Sequence, residues 1–176
     1  EALAEDFSRI ALRDLPLPEP GEGEVRVRIE AASLNFPDLL MLKGAYQFKP
    51  ALPFTVGMDL AGTVGAVGPG VAMLPGQRVA GGAKTGAFAD YAICPAGSLH
   101  PVPDAMSAPH AAASPAAYTT AYVSLVERGQ LQPGETLLVH GASGGVGMAS
   151  IDVGRILGAT VIATTASEQK AQALRL

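Results

Sequence analysis

The chain has 176 residues, enough for one domain or two small ones, with a net charge of −4 and only 16% charged residues. It has no basic run or aromatic-interleaved patch to attract nucleic acid, no apolar run long enough to span a membrane, and no charged-then-apolar start of the signal-peptide kind. A single cysteine, Cys94, excludes an internal disulfide or a cysteine-rich zinc cage and suits a reducing, cytoplasmic setting.

Residues 15–21 (Leu-Pro-Leu-Pro-Glu-Pro-Gly) form a turn-rich lead-in. From Glu24 to Ala32 the pattern alternates, Val25, Val27 and Ile29 against Arg26, Arg28 and Glu30, which predicts a half-buried antiparallel strand. Pro37 to Lys43 reads as a short helix ended by Gly44. Between Gly57 and Val79 lie short β-like pieces punctuated by glycine, as in a small curved barrel-like sheet. Phe88 to Cys94 is strand-like and places Cys94 as a buried, inert thiol. Ser107 to Ala117 is alanine-rich, with Pro109 near its start and Pro115 breaking or restarting it. Tyr118 to Arg128 is then a connecting helix ended by Gly129.

The densest signal follows. Leu137-Leu138-Val139 runs into His140-Gly141-Ala142-Ser143-Gly144-Gly145-Val146-Gly147 and then into a helix. Val146, Ala149, Ser150, Val153 and Leu157 form one small-to-apolar face, and Gly158 stands at the helix end. A second apolar strand, Thr160 to Thr164, completes the strand–turn–helix–strand unit of a dinucleotide site. Gly144 and Gly147 fit the last two glycines of G-x-G-x-x-G, while Ala142 takes the place of the first. The bland alternative is a tight turn with no ligand. NAD sites usually carry a carboxylate after the second strand to hold the ribose 2′-hydroxyl. Thr165 stands there instead, with Ser167 and Lys170 close behind, and these suit the 2′-phosphate of NADP. Ser167 is equally an ordinary helix cap and Lys170 an ordinary surface charge.

Taken together, Ala32 to Asp38, Gly57 to Val64, Gly76 to Val79 and Gln132 to Gly147 resemble the medium-chain dehydrogenase/reductase superfamily, and within it the zinc-free NADPH:quinone reductase branch. The resemblance implies an α/β architecture: a GroES-like β-barrel-type domain over 1–117, then a connecting helix and the first βαβ unit of a Rossmann domain over 118–176. Where zinc-dependent members carry Cys, His and Cys, this chain has Asn35, Met58 and Ala116, so no metal is expected. His100, His110 and His140 are scattered without ligand-spaced partners.

The same resemblance implies catalytic-site roles for Asn35 (positioning), Tyr46 and Thr119 (binding), with Thr120 beside the last. It implies cofactor contacts from Tyr46, Thr119, Ser143, Gly144, Gly145, Val146, Gly147, Thr165, Ser167 and Lys170. The implied activity is NADPH-dependent hydride transfer to a quinone or α,β-unsaturated carbonyl, in a homo-oligomer such as a dimer. The alternatives are a 2-enoyl-thioester reductase and, in another class, a non-catalytic structural or adaptor protein on the same scaffold. Asp38 and Asp59 read as structural caps. With only two dinucleotide-sheet strands and a helical segment from Ser167 to Leu176, the chain reads as the front piece of a longer protein, inactive alone.

Overall fold

A computed structural model describes residues 7, 8 and 10–174. The chain divides into two compact units, 1–113 and 114–176. Positions 175 and 176, the end of the helical segment expected from Ser167, lie outside the described residues.

The first unit is built on five strands: β1 (Glu24–Ser33), β2 (Asp59–Val67), β3 (Arg78–Gly82), β4 (Tyr91–Pro95) and β5 (Leu99–Pro101). Their order is β4-β1-β2-β3-β5, and every neighbouring pair is antiparallel. The alternation read in β1 is real: Val25 and Val27 are fully buried, and Ile29 packs against the same core with Leu60, Val64, Val79, Cys94 and Leu99. Register shifts between Arg26 and Val27 and between Ile29 and Ala31 mark bulges that bend the strand. Past the second bulge, Ala31 pairs with Ala61 and joins a separate alanine cluster under helix α2 (Ala108–Ala113).

The expected barrel is a curved open sheet. β4 and β5 are its edges, joined by the short turn Ala96–Ser98 rather than by pairing. Each ends in a proline, Pro95 and Pro101, which has no N–H to donate. Arg78, from the Gly76–Val79 segment, fastens the strand to the chain beyond β5 by donating to the carbonyls of Pro103, Asp104 and Met106. Helix α1 (Phe36–Leu42) carries Pro37 in its first turn and buries Asp38 and Met41.

In the second unit, α3 (Pro115–Tyr122) begins at the proline that restarts the helix and continues as a wide π-turn over Val123–Arg128. There Gly129 N–H donates to the Ser124 carbonyl at 2.8 Å. Strands β6 (Thr136–Val139) and β7 (Thr160–Ala163) are parallel, Thr136 opposite Thr160 and Leu138 opposite Ile162. Helix α4 (Gly145–Ile156) connects them, and α5 (Glu168–Ala173) follows. Ala149 and Val153 of α4 pack on Ala117 and Ala121 of α3, with Leu157 at the edge of the cluster. Gly154 lets α4 settle on the sheet, since a Cβ there would lie 2.6 Å from Leu137 Cδ2. Val146 departs from the packed face expected of it and is exposed, because it sits in the open first turn. The opposite sheet face, with Leu138 51% and Ile162 50% exposed, is uncovered among the described residues.

Candidate functional site

Each unit carries its own group of candidate residues. In the second, β6 ends at Val139 and the chain turns sharply at Gly141, whose φ of 63° an L side chain rarely adopts. Ala142, in the slot of the first fingerprint glycine, is fully buried, and its N–H donates to the Thr164 carbonyl at 2.9 Å. The turn is thereby stitched to the end of β7. Gly144 is the N-cap of α4 and offers no side chain to close it. The N–H groups of Gly145, Val146 and Gly147 accordingly have no acceptor among the described residues.

The space above this turn is shaped by absent side chains. A Cβ on Gly145 would find nothing nearer than Ala117 Cβ at 4.0 Å, so that side is open. A Cβ on Gly147 would meet the Gly141 carbonyl oxygen at 2.6 Å, so bare backbone is needed for α4 to approach the turn. Open N–H groups at the start of a 12-residue helix form a cradle for an anion, and the macrodipole favours negative charge there. A diphosphate fits this donor set.

Past β7 the hydroxyls are individually placed. Ser143 Oγ lies 3.0 Å from Thr165 Oγ1, and His140 Nδ1 lies 3.0 Å from Thr164 Oγ1. Ser167 caps α5, its Oγ accepting the Lys170 N–H at 3.4 Å. That is the ordinary capping role read from its position. Lys170 is exposed, and its ammonium makes no ion pair among the described residues. Thr119 and Thr120 are exposed inside α3 rather than capping it. Beside them Tyr118 donates to Asp152 Oδ2 at 2.5 Å, a bond that raises the phenol pKa and ties α3 to α4.

In the first unit, Asn35 stands before α1. Its Nδ2 donates to Ser33 Oγ and to Asp59 Oδ2, both at 3.1 Å, which uses both amide hydrogens. Its backbone N–H donates to Asp38 Oδ2 at 2.7 Å. Asp38 is fully buried, with no hydrogen bond to Oδ1 among the described residues. Burial raises its pKa from its ordinary value, against the opposing pull of the Asn35, Met58 and Gly57 amides. Asp38 thus acts as the cap it was expected to be, while Asp59 braces Asn35 from the start of β2. Tyr46 is half-buried in the loop after α1, its hydroxyl without a protein partner among the described residues. Cys94 is buried, and desolvation followed by the Glu24 charge pushes its thiol up to about 11, so it is inert as expected.

Sequence reasoning missed the bond from Asn35 to Asp59, the Ser143–Thr165 pair and the Arg78 clamp. Each joins residues 22 to 28 positions apart through strand register or loop return, for which no local spacing signal exists.

Residues 21–104 match the alcohol dehydrogenase GroES-like domain family. The human synaptic vesicle membrane protein VAT-1 homolog is 39% identical over 172 residues, covering 96% of this chain and 44% of that protein. Among solved structures, the quinone oxidoreductase from Thermus thermophilus, determined also in complex with NADPH, aligns with a TM-score of 0.81 at 40% identity. That alignment covers 91% of this chain and 50% of the other. CurK enoyl reductase aligns with a TM-score of 0.87 at 29% identity, covering 99% and 55%. The chain spans about half the length of these relatives.

Proposed function

We infer, for a chain that belongs to the medium-chain dehydrogenase/reductase superfamily, that the whole protein is an NADPH-dependent reductase acting without zinc on a quinone or related α,β-unsaturated carbonyl. The observation that carries this reading is the open α4 terminus, three N–H groups without an acceptor among the described residues, with hydroxyls rather than a carboxylate after β7. The N–H groups of Gly145, Val146 and Gly147, behind the Gly144 N-cap, would hold the diphosphate. Thr165, Ser167 and the Lys170 ammonium, which makes no ion pair among the described residues, would receive the 2′-phosphate, which a carboxylate at position 165 would repel.

Bound NADPH supplies a hydride, which an electrophilic quinone or enone accepts as negative charge develops on its oxygen. A hydrogen-bond donor must meet that charge. Asn35 has no amide hydrogen left for it, so its role is positional, holding the start of α1 to β1 and β2. The Tyr46 hydroxyl, free of protein partners among the described residues, is assigned to donate to the substrate oxygen. Thr119 is assigned a cofactor contact. The zinc-free reading rests on donor chemistry: an amide already spent at 35, a thioether at 58 and a methyl at 116 are poor zinc ligands.

The alignment with CurK enoyl reductase favours a second reading, reduction of a 2-enoyl thioester by the same hydride chemistry. A non-catalytic structural or adaptor role on the same scaffold is the third reading. A turnover assay on the full chain with NADPH and with NADH, against benzoquinone and crotonyl-CoA, separates the three. Quinone turnover with NADPH that survives chelation supports the first reading. Turnover confined to the thioester supports the second, and no turnover despite NADPH binding supports the third. Activity abolished by chelator and restored by zinc overturns the zinc-free assignment.

A further inference from the structure

We propose that Ser143 sets how the site reads the 2′ position of a bound adenine nucleotide, acting through Thr165; this rests on the dinucleotide reading above. Ser143 belongs to the turn beneath the α4 cradle, whereas Thr165 stands where a ribose-binding carboxylate usually does. Their hydroxyl oxygens are 3.0 Å apart, half-buried, and either can be the donor.

That reversibility is the functional point. A carboxylate only accepts, so it takes a 2′-hydroxyl and repels a phosphate. A hydroxyl pair has two states. When Ser143 donates to Thr165, the Thr165 O–H is released to donate outward to a phosphate oxygen, and the chained bond is strengthened by its neighbour. When Thr165 donates to Ser143, its oxygen lone pairs face outward and accept from a 2′-hydroxyl.

The other hydroxyls in this stretch are held by groups of other kinds. Thr164 Oγ1 is shared between the Val139 carbonyl at 3.4 Å and His140 Nδ1 at 3.0 Å. Ser167 Oγ is engaged as the α5 cap. Of these three, Thr165 is the one whose partner is a second hydroxyl. The pair therefore admits both 2′ substituents, and the preference between them falls to the Lys170 charge. Ser143 is a positioning residue: it holds the Thr165 hydroxyl without itself meeting the 2′ group.

Calorimetric titration of the full chain with adenosine 2′,5′-bisphosphate, ADP and 2′-deoxy-ADP tests this without relying on turnover. Ser143→Ala is expected to weaken the first two probes about three- to tenfold, the span of one neutral hydrogen bond, and to leave 2′-deoxy-ADP unchanged. In a Thr165→Val background, Ser143→Ala should have no further effect on any probe. Thr165→Ser, which keeps the hydroxyl, should bind as the parent does and guards against a folding artefact. Equal weakening of 2′-deoxy-ADP, or a Ser143→Ala effect that persists beside Thr165→Val, overturns the proposal while leaving the dinucleotide reading intact. Failure of the unsubstituted chain to bind all three probes sinks that reading and this inference with it.

Discussion

Gly147→Ala places a methyl group where the structure has no room for one. The added Cβ would lie 2.6 Å from the Gly141 carbonyl oxygen, 2.7 Å from Ala142 Cα and 2.9 Å from Ala142 C. All three are backbone atoms of the turn that β7 anchors through the Ala142–Thr164 bond, so none can swing aside as a side-chain tip could. Relief requires α4 to lift from the turn, which disturbs its packing on α3. Overpacking of this kind costs about 1–3 kcal/mol, and three backbone contacts place this site toward the upper end. Replacing a helical glycine by alanine returns at most about 1 kcal/mol, and less in the first turn. The net expectation is a loss of about 1–2 kcal/mol together with loss of NADPH binding. Gly145→Ala is the matched control, because its Cβ has 4.0 Å of clearance. It should fold as well as the parent yet weaken NADPH, by crowding the diphosphate. The chain has no tryptophan, so urea unfolding is best followed by far-ultraviolet circular dichroism, with NADPH affinity from calorimetry. A Gly147→Ala chain with unchanged midpoint and unchanged affinity would refute the close-approach argument.

Lys170→Glu should weaken NADPH by about 1–3 kcal/mol while sparing NADH, since only the 2′-phosphate meets that charge; an equal loss for both cofactors removes Lys170 from the site. Burial raises the Asp38 pKa, so its contribution to stability is present below the unfolded value of 3.8 and is lost as pH rises through the higher folded value. Asp38→Asn should therefore gain on the parent between acid and neutral pH, as the amide oxygen can still accept the Asn35 N–H; a stability difference that does not vary with pH contradicts this. Cys94, with its thiol pushed up to about 11, should resist alkylation near pH ~8 until urea unfolds the chain. Above pH 9.0 the unfolded chain loses the thiol proton first, so stability should fall between there and about 11. Rapid alkylation of the folded protein would show that the thiol is accessible.

From the sequence alone, the elements with local periodicity were legible. The Val25–Ile29 alternation, the Pro115 restart, the apolar run into Gly141 and the helix ending near Gly158 each express a rule spanning a few residues. The glycine turn was legible because its needs, a positive φ at Gly141 and bare backbone at Gly147, are met by a residue type rather than by a partner. Tertiary structure decided everything that depends on what lies across a strand. It left the first sheet open, with β4 and β5 at its opposite edges. It exposed Val146, which helical period alone had placed on the packed face. It spent both amide hydrogens of Asn35 on Ser33 and Asp59, because β1 and β2 pair with Ser33 opposite Asp59. It joined Ser143 to Thr165 because parallel register brings the ends of β6 and β7 level. A side chain's type is written in the sequence, but its free donors and acceptors are what remain after its neighbours in space have taken theirs.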